Sequence, residues 1–368
     1  MYSQNDLDEA VAAGAISAET ANAFRGFVET QRSLPGVDEE HFRLITGFND
    51  IFVSIASAIL LFAVAWIGQS LGQSLNFMVG GDGPSPLAPL FVAATAWCLA
   101  LFFTARRRMA LPSILLLLAF VGAVFAGTGI LLAMMVGEPP QAQQALVAGI
   151  VGAAAGAVAA AAAWLHWKRF RVPITVAAGA AAVAAIVVGL LVAALGDIPN
   201  LKDYVLGFVL LLGIGVFLFA MRWDSSDPAR VTRRSDVAFW LHLLAAPMIV
   251  HPVFTLLRLN DGTATVSEGL VVILLYVVLG ITALAIDRRA LLVSALAYVL
   301  YALSELLKQV GAVELNIALT ALVIGSALLL LSAFWHQARS MVVERLPANL
   351  RTKLPNLNRV AAIPEPAA

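Results

Sequence analysis

Apolar residues in this chain come in long unbroken runs, and polar residues gather between them. Ten runs approach or exceed the roughly 20 residues that a helix needs to cross the hydrocarbon of a bilayer: 48–71, 87–105, 111–135, 143–166, 172–196, 203–222, 237–257, 266–286, 290–309 and 315–335. The runs are continuous rather than alternating. In hydrocarbon a backbone group has no water partner, so a crossing segment must be a helix or part of a closed barrel, and continuous runs favour helices. The pattern predicts an all-α fold, a polytopic transmembrane helical bundle of about ten spans. It divides the chain into a cytosolic helical hairpin and connector (1–46), a ten-helix transmembrane domain (47–338) and a cytosolic amphipathic and disordered tail (339–368).

Composition agrees. Hydrophobic residues make up 61% of the chain and charged residues 12%. Too few charges remain to clothe a water-soluble globule, and the chain is too apolar for disorder. Acidic and basic residues balance at 23 each, so no basic excess points to nucleic acid. With Cys98 as its single cysteine, the chain forms no internal disulfide. The first apolar run begins near Gly47, too far in and too long for a cleavable signal, and is expected to stay as an anchor.

Loop charges orient the bundle. With the N-terminus placed in the cytoplasm, the basic clusters Arg106–Arg108, Lys168–Arg171, Arg222–Arg234 and Arg288–Arg289, together with both termini, fall on the cytoplasmic side. Of the 23 Lys and Arg, only Lys202, Arg258 and Lys308 fall opposite. Basic residues are retained on the cytoplasmic side of membranes, so this bias predicts an N-in/C-in protein. Trp164, Trp167, Trp223, Trp240 and Trp335 fall near the same ends, as an interfacial aromatic belt would.

Before the first span, residues 3–33 read as a hairpin of two helices. Gly14 stops the first, and Ser17 caps a second that runs through Phe24 and Phe27. After the last span, Leu346-Pro347 and Leu354-Pro355 follow basic residues, the pattern of a short interfacial segment.

Ionisable groups at membrane depth are costly and mark candidate sites. At about 100° per residue, Ser294, Tyr298, Tyr301, Ser304, Glu305 and Lys308 share one face of the ninth span. Such a stripe belongs against protein or water, as a pocket or as a sealed polar seam. Glu305 and Lys308 are three apart and can pair. His251 lies at a depth from which it can face Glu305, and histidine beside a carboxylate is an ingredient of proton relays. The candidate polar pocket is therefore Tyr298, Tyr301, Ser304, Glu305, Lys308 and His251. His242 lies nine residues before His251, about 180° away on a straight helix, so the two share a site only if Pro247 kinks the span.

Other features read as structure. In the first span Arg43, Asp50, Ser54 and Ser57 lie on one face, which reads as helix-start charge plus an interfacial ion pair. Gly152 and Gly156 form a GxxxG step suited to close helix packing. The turn at Arg107-Arg108 resembles that at Arg288-Arg289, and basic turns between apolar helices look alike. The sixth loop, from Asp224 and Asp227 through Arg230, Arg233 and Arg234 to Asp236, is the densest charge cluster; topology explains most of it, with a regulatory or headgroup-binding role as the alternative. Gly68-Gln69-Ser70-Leu71-Gly72 matches the hydrolase G-x-S-x-G pattern but ends a membrane helix instead of following a strand. No nucleotide-binding, metal-binding or cofactor motif occurs, so no metal, cofactor or enzymatic activity is expected.

The run from Leu7 through Gly14, Ile16 and Ser17 to Glu19 resembles the N-terminal hairpin of bacterial membrane proteins grouped as domain of unknown function 2157, and the Leu-Pro pairs resemble the tails of that group. This resemblance implies a multi-pass protein of the bacterial inner membrane and assigns no catalytic residue. Two functions fit the sequence best, and a third, an intramembrane enzyme, has the Ser70 motif as its only support. One is a transporter or permease for a small solute or lipid. The other is a non-catalytic scaffold or sensor that engages a protein partner through its N-terminal hairpin. The lipid bilayer is the partner common to both.

Overall fold

The computed structural model describes residues 11–14, 16–24, 48–227, 230, 232–257, 266–289, 291–292, 296, 299–300, 303–304, 316–351 and 354. The chain divides into two compact units, residues 1–42 with 356–368, and residues 43–355. In the first, a helix ends at Gly14, whose φ of +69° a side chain would disfavour and whose N–H donates to the Val11 carbonyl (3.0 Å). Ser17 Oγ then accepts the Thr20 N–H at 3.1 Å and caps a helix over 18–24.

The second unit is helical, with no strand among the described residues. It begins with α1 (Phe48–Ser74), α2 (Leu87–Phe103), α3 (Ala110–Val136) and α4 (Gln144–Phe170). It continues with α5 (Ile174–Leu195), α6 (Leu201–Ser225), α7 (Arg233–Leu256) and α8 (Val266–Ile286). Helical residues between 291 and 304 come next, then α9 (Asn316–Ala333), α10 (Trp335–Glu344) and a single turn, α11 (Ala348–Arg351).

Six of these, α1 and α3 to α7, are long and apolar enough to cross a membrane among the described residues. With 17 residues α2 spans only about 25 Å, and the apolar part of α8 is also short. The last apolar segment does not run straight through residue 335. It bends by 76° between Ala333 and Trp335, so that α10 turns away from α9.

In α1 the usual amphipathic order is reversed. Asp50, Ser54 and Ser57 are buried together with Leu61, Gly68 and Gly72, whereas Phe52, Ile59, Phe62 and Trp66 are each 64–70% exposed. A helix that hides its polar residues and displays its large apolar ones has hydrocarbon for a solvent. The six long apolar helices make this a membrane protein.

Neighbouring helices pack in chain order. Leu61, Ala96, Ala100 and Leu116 join α1, α2 and α3. Leu117, Val121, Ala159, Ala163 and Ala182 join α3, α4 and α5. Between α4 and α5 the backbones nearly touch: a Cβ on Gly149 would lie 2.4 Å from Ala193 N, and one on Gly189 would lie 2.6 Å from Ala153 N. Gly156 is similarly tight, at 3.0 Å from Ala182 O, but Gly152 has nothing within 4 Å. The close-packing seam is thus Gly149, Gly156 and Gly189, and the first glycine of the GxxxG step does not belong to it.

At the centre of the second half stands α7. Half of its apolar window is buried, against 17–33% in the other five long helices. It carries Pro247 and Pro252 within one unbroken helix. Past the bend, α10 folds back so that Trp335, Val343 and Leu354 are buried with Ala283, Leu284 and Leu291.

Candidate functional site

The described residues place the densest buried charge where α6, α7, α8 and α10 meet. Each component is set by local structure. Helix α6 ends at Ser225, and Asp224 in its last turn is 2% exposed. The loop that follows is held by Asp227, whose Oδ2 accepts the Thr232 N–H (2.9 Å) and hydroxyl (2.7 Å). Thr232 in turn caps α7 by accepting the Arg234 N–H. Helix α8 ends in a Schellman turn: the Arg288 N–H donates to Ala283 O (2.8 Å), and Asp287 takes the left-handed position with φ +59°. That turn points consecutive residues into two different polar clusters.

The first cluster is centred on Asp224. Arg288 reaches it in a two-pronged pair, Nε to Oδ2 at 3.2 Å and Nη2 to Oδ1 at 2.5 Å. The Nη2 group also donates to Ser235 O (3.0 Å) and Ser235 Oγ (3.1 Å). His242 Nε2 lies 2.9 Å from Asp224 Oδ2. A carboxylate only accepts, so Nε2 carries the proton. His242 Nδ1 is buried with no hydrogen-bond partner among the described residues, and the Phe217 ring stands edge-on to the imidazole at 5.3 Å. Arg288 is 2% exposed and His242 fully buried.

The second cluster is centred on Asp287. Its Oδ1 accepts the Trp335 indole N–H (2.8 Å), and its Oδ2 accepts Arg230 Nη1 (3.1 Å). Arg230 Nη2 caps the end of α8, donating to Ile286 O (2.7 Å) and Asp287 O (3.0 Å). Arg339 Nε lies 3.8 Å from Asp287 Oδ1. Burial by itself would push the Asp287 carboxyl up. The Arg230 and Arg339 guanidiniums outweigh it, with help from the Trp335 indole and Arg288, and hold the carboxyl below the usual carboxylate range. Two carboxylates (Asp224 and Asp287) therefore stand among three guanidiniums (Arg230, Arg288, Arg339), while the Asp227 carboxylate holds the intervening loop through Thr232.

The pocket expected from the ninth-span stripe has a different standing. Tyr298, Tyr301, Glu305 and Lys308 lie outside the described residues. Ser304 is half-buried, and His251 is exposed on α7. The two histidines of α7 therefore part, His242 inward and His251 outward. Trp335 does not stand in an aromatic belt: it is 2% exposed and anchored on Asp287, while Trp164 is exposed beneath the Lys168 ammonium, 3.8 Å from its ring. The likeness of the two Arg-Arg turns stops at burial, since Arg107 is exposed and Arg288 is not. In the G-x-S-x-G segment Ser70 is exposed. A Cβ on Gly68 would meet Ala88 Cα at 2.7 Å, and Gln69 ties down the following loop through Gly83 O and the Ser85 N–H.

A second buried histidine, His166 on α4, sits among Trp97, Phe120 and Phe170 with Thr175 Oγ1 3.3 Å from its Nδ1. Among the described residues it has no charged neighbour of the kind that surrounds His242. No family model, curated protein or solved structure matches this chain.

Proposed function

We propose that this protein moves a small solute or lipid across the bilayer, and that the Asp224 and Asp287 clusters form the contact that closes its cytoplasmic end. The observation that carries this reading is the set of buried and half-buried carboxylates and guanidiniums joining α6, α7, the end of α8 and α10. Apolar side chains of similar volume would hold these helices at least as firmly as buried ion pairs do. Ion pairs suit a contact that must also open, because water can take up each separated charge. The charge bias of the loops supports about ten crossings with both termini in the cytoplasm. The resemblance at the N-terminus supports a place in the bacterial inner membrane among the proteins of domain of unknown function 2157.

The test is a distance measurement between spin labels at two exposed positions flanking the clusters, S226C and Q337C, in a C98S background. Under this reading R288Q adds a longer distance population. A single distance, unchanged by R288Q and by pH, contradicts it.

A second reading rests on the division of the chain. Residues 1–42 with 356–368 form a unit of their own, which suits a scaffold or sensor engaging a partner through its N-terminal hairpin. Co-purification that depends on residues 1–40 would favour it over transport.

A further inference from the structure

Beside the Asp287 cluster lies a cavity of about 120 Å³. Leu292, Leu296, Leu328 and Leu331 form its walls, with Tyr276, Ser332, Arg289 and Trp335 completing the lining. We propose that it seats a segment of one acyl chain of an anionic phospholipid, with the headgroup phosphate on Arg289. This inference does not depend on the transport reading.

Two independent features point to such a ligand. The first is the apolar wall. A cavity so lined holds water poorly and accepts an apolar guest, and in a protein of this class the surrounding solvent is itself made of acyl chains. Tyr276 adds an aromatic ring to the lining, and its hydroxyl is buried without a hydrogen-bond partner among the described residues.

The second is Arg289. Its neighbours in the turn are committed, Arg288 to Asp224 and Asp287 to Arg230 and Trp335. Arg289 has its guanidinium over the Trp335 ring, 4.8 Å from the centroid, and its side chain makes no hydrogen bond or ion pair among the described residues. Stacking fixes the guanidinium plane and leaves its N–H edge available, and that edge matches two phosphate oxygens. The charge complements the anionic lipids of a cytoplasmic leaflet, and Arg289 belongs to the basic turns assigned to that side. A zwitterionic headgroup would bring its own cation against the guanidinium, so an anionic one is favoured.

The experiment uses the full chain in vesicles doped with brominated phosphatidylglycerol or with phosphatidylcholine bearing the same brominated chains. Bromine quenches tryptophan on contact, and Trp335 lines the cavity. The wild type should show saturable quenching with a preference for phosphatidylglycerol. R289Q should lower that preference about fivefold, the weight of one basic side chain at an anionic surface. W335F should remove the saturable part. Since W335F also loses the bond to Asp287, lipid retention by wild type and R289Q in native mass spectrometry gives an independent count. Glycerol 3-phosphate should not displace the lipid. Equal quenching by the two lipids, a preference unaltered in R289Q, or displacement by glycerol 3-phosphate would each overturn the proposal.

Discussion

Asp224 and Arg288 are 64 positions apart in the chain and meet as a buried two-pronged ion pair. Between them lie α7 and α8, which therefore run out and back and return the chain to the end it left. The turns after α6 and α8 are thereby brought to one end of the bundle. This is the arrangement that their shared richness in arginine suggests.

The pair predicts strong non-additivity. Removing one partner strands the other charge in a dry site, at a cost of about 3–5 kcal/mol. D224L and R288L should each lower the unfolding free energy in detergent by that order. The double variant should lose markedly less than the sum of the two. Simple additivity in this cycle would show that the two side chains do not interact.

The helix limits were readable because a hydropathy run carries its own length. Expected edges of 172–196 and 266–286 meet observed helices of Ile174–Leu195 and Val266–Ile286. Where the edges differ, polar residues are the reason. Helix α7 starts at Arg233 rather than 237 because Thr232 caps a first turn of Arg233, Arg234, Ser235 and Asp236 that hydropathy leaves out. The bend before Trp335 was hidden because its cause is tertiary: a tryptophan at the end of an apolar run reads as an interfacial anchor, and only the position of Asp287 makes it a ligand. The charged centre was hidden for the same reason. Asp224 and Arg230 read as loop charges, Arg288 as a topology signal and His242 as a histidine that could join His251 only through a kink at Pro247, because helix periodicity relates residues within a helix and says nothing of partners 18 or 64 positions away. One signal did point to it, namely the density of charge in the sixth loop.

Acid should weaken the second cluster. The Asp287 carboxyl is held below its ordinary range in the folded protein, so folding favours the ionised form. That contribution is complete above the unfolded value of about 3.9 and disappears as pH falls through the lower folded value. Stability of the wild type should therefore drop below about pH 4 more steeply than that of D287N, with Trp335 fluorescence changing in the wild type alone. Parallel acid profiles would remove Asp287 from the account.

Glycines should separate by position. G149A and G189A force a methyl group onto backbone 2.4–2.6 Å away and should cost about 1–3 kcal/mol as overpacking. At Gly152, where space is open, alanine should be neutral or stabilise by up to about 1 kcal/mol through helix propensity. Melting temperatures of the three variants decide this, and a loss at Gly152 equal to that at Gly149 would mean that another surface packs on α4.

Ser70 should be dispensable to the fold while its flanking glycines are not. S70A should melt with the wild type, whereas G68A, pressed against the Ala88 backbone at 2.7 Å, should lose stability of the same order as G149A. Loss of stability in S70A would assign that hydroxyl a partner.

The most direct test of the account is the side on which the basic turns lie. Single cysteines R107C, S226C and Q337C, each in a C98S background, would be exposed to a membrane-impermeant thiol reagent in right-side-out and inverted vesicles. All three should react in inverted vesicles and stay protected in right-side-out ones. Reaction of S226C and Q337C from opposite faces would contradict it, because the Asp224 and Asp287 clusters could not then sit at one cytoplasmic end.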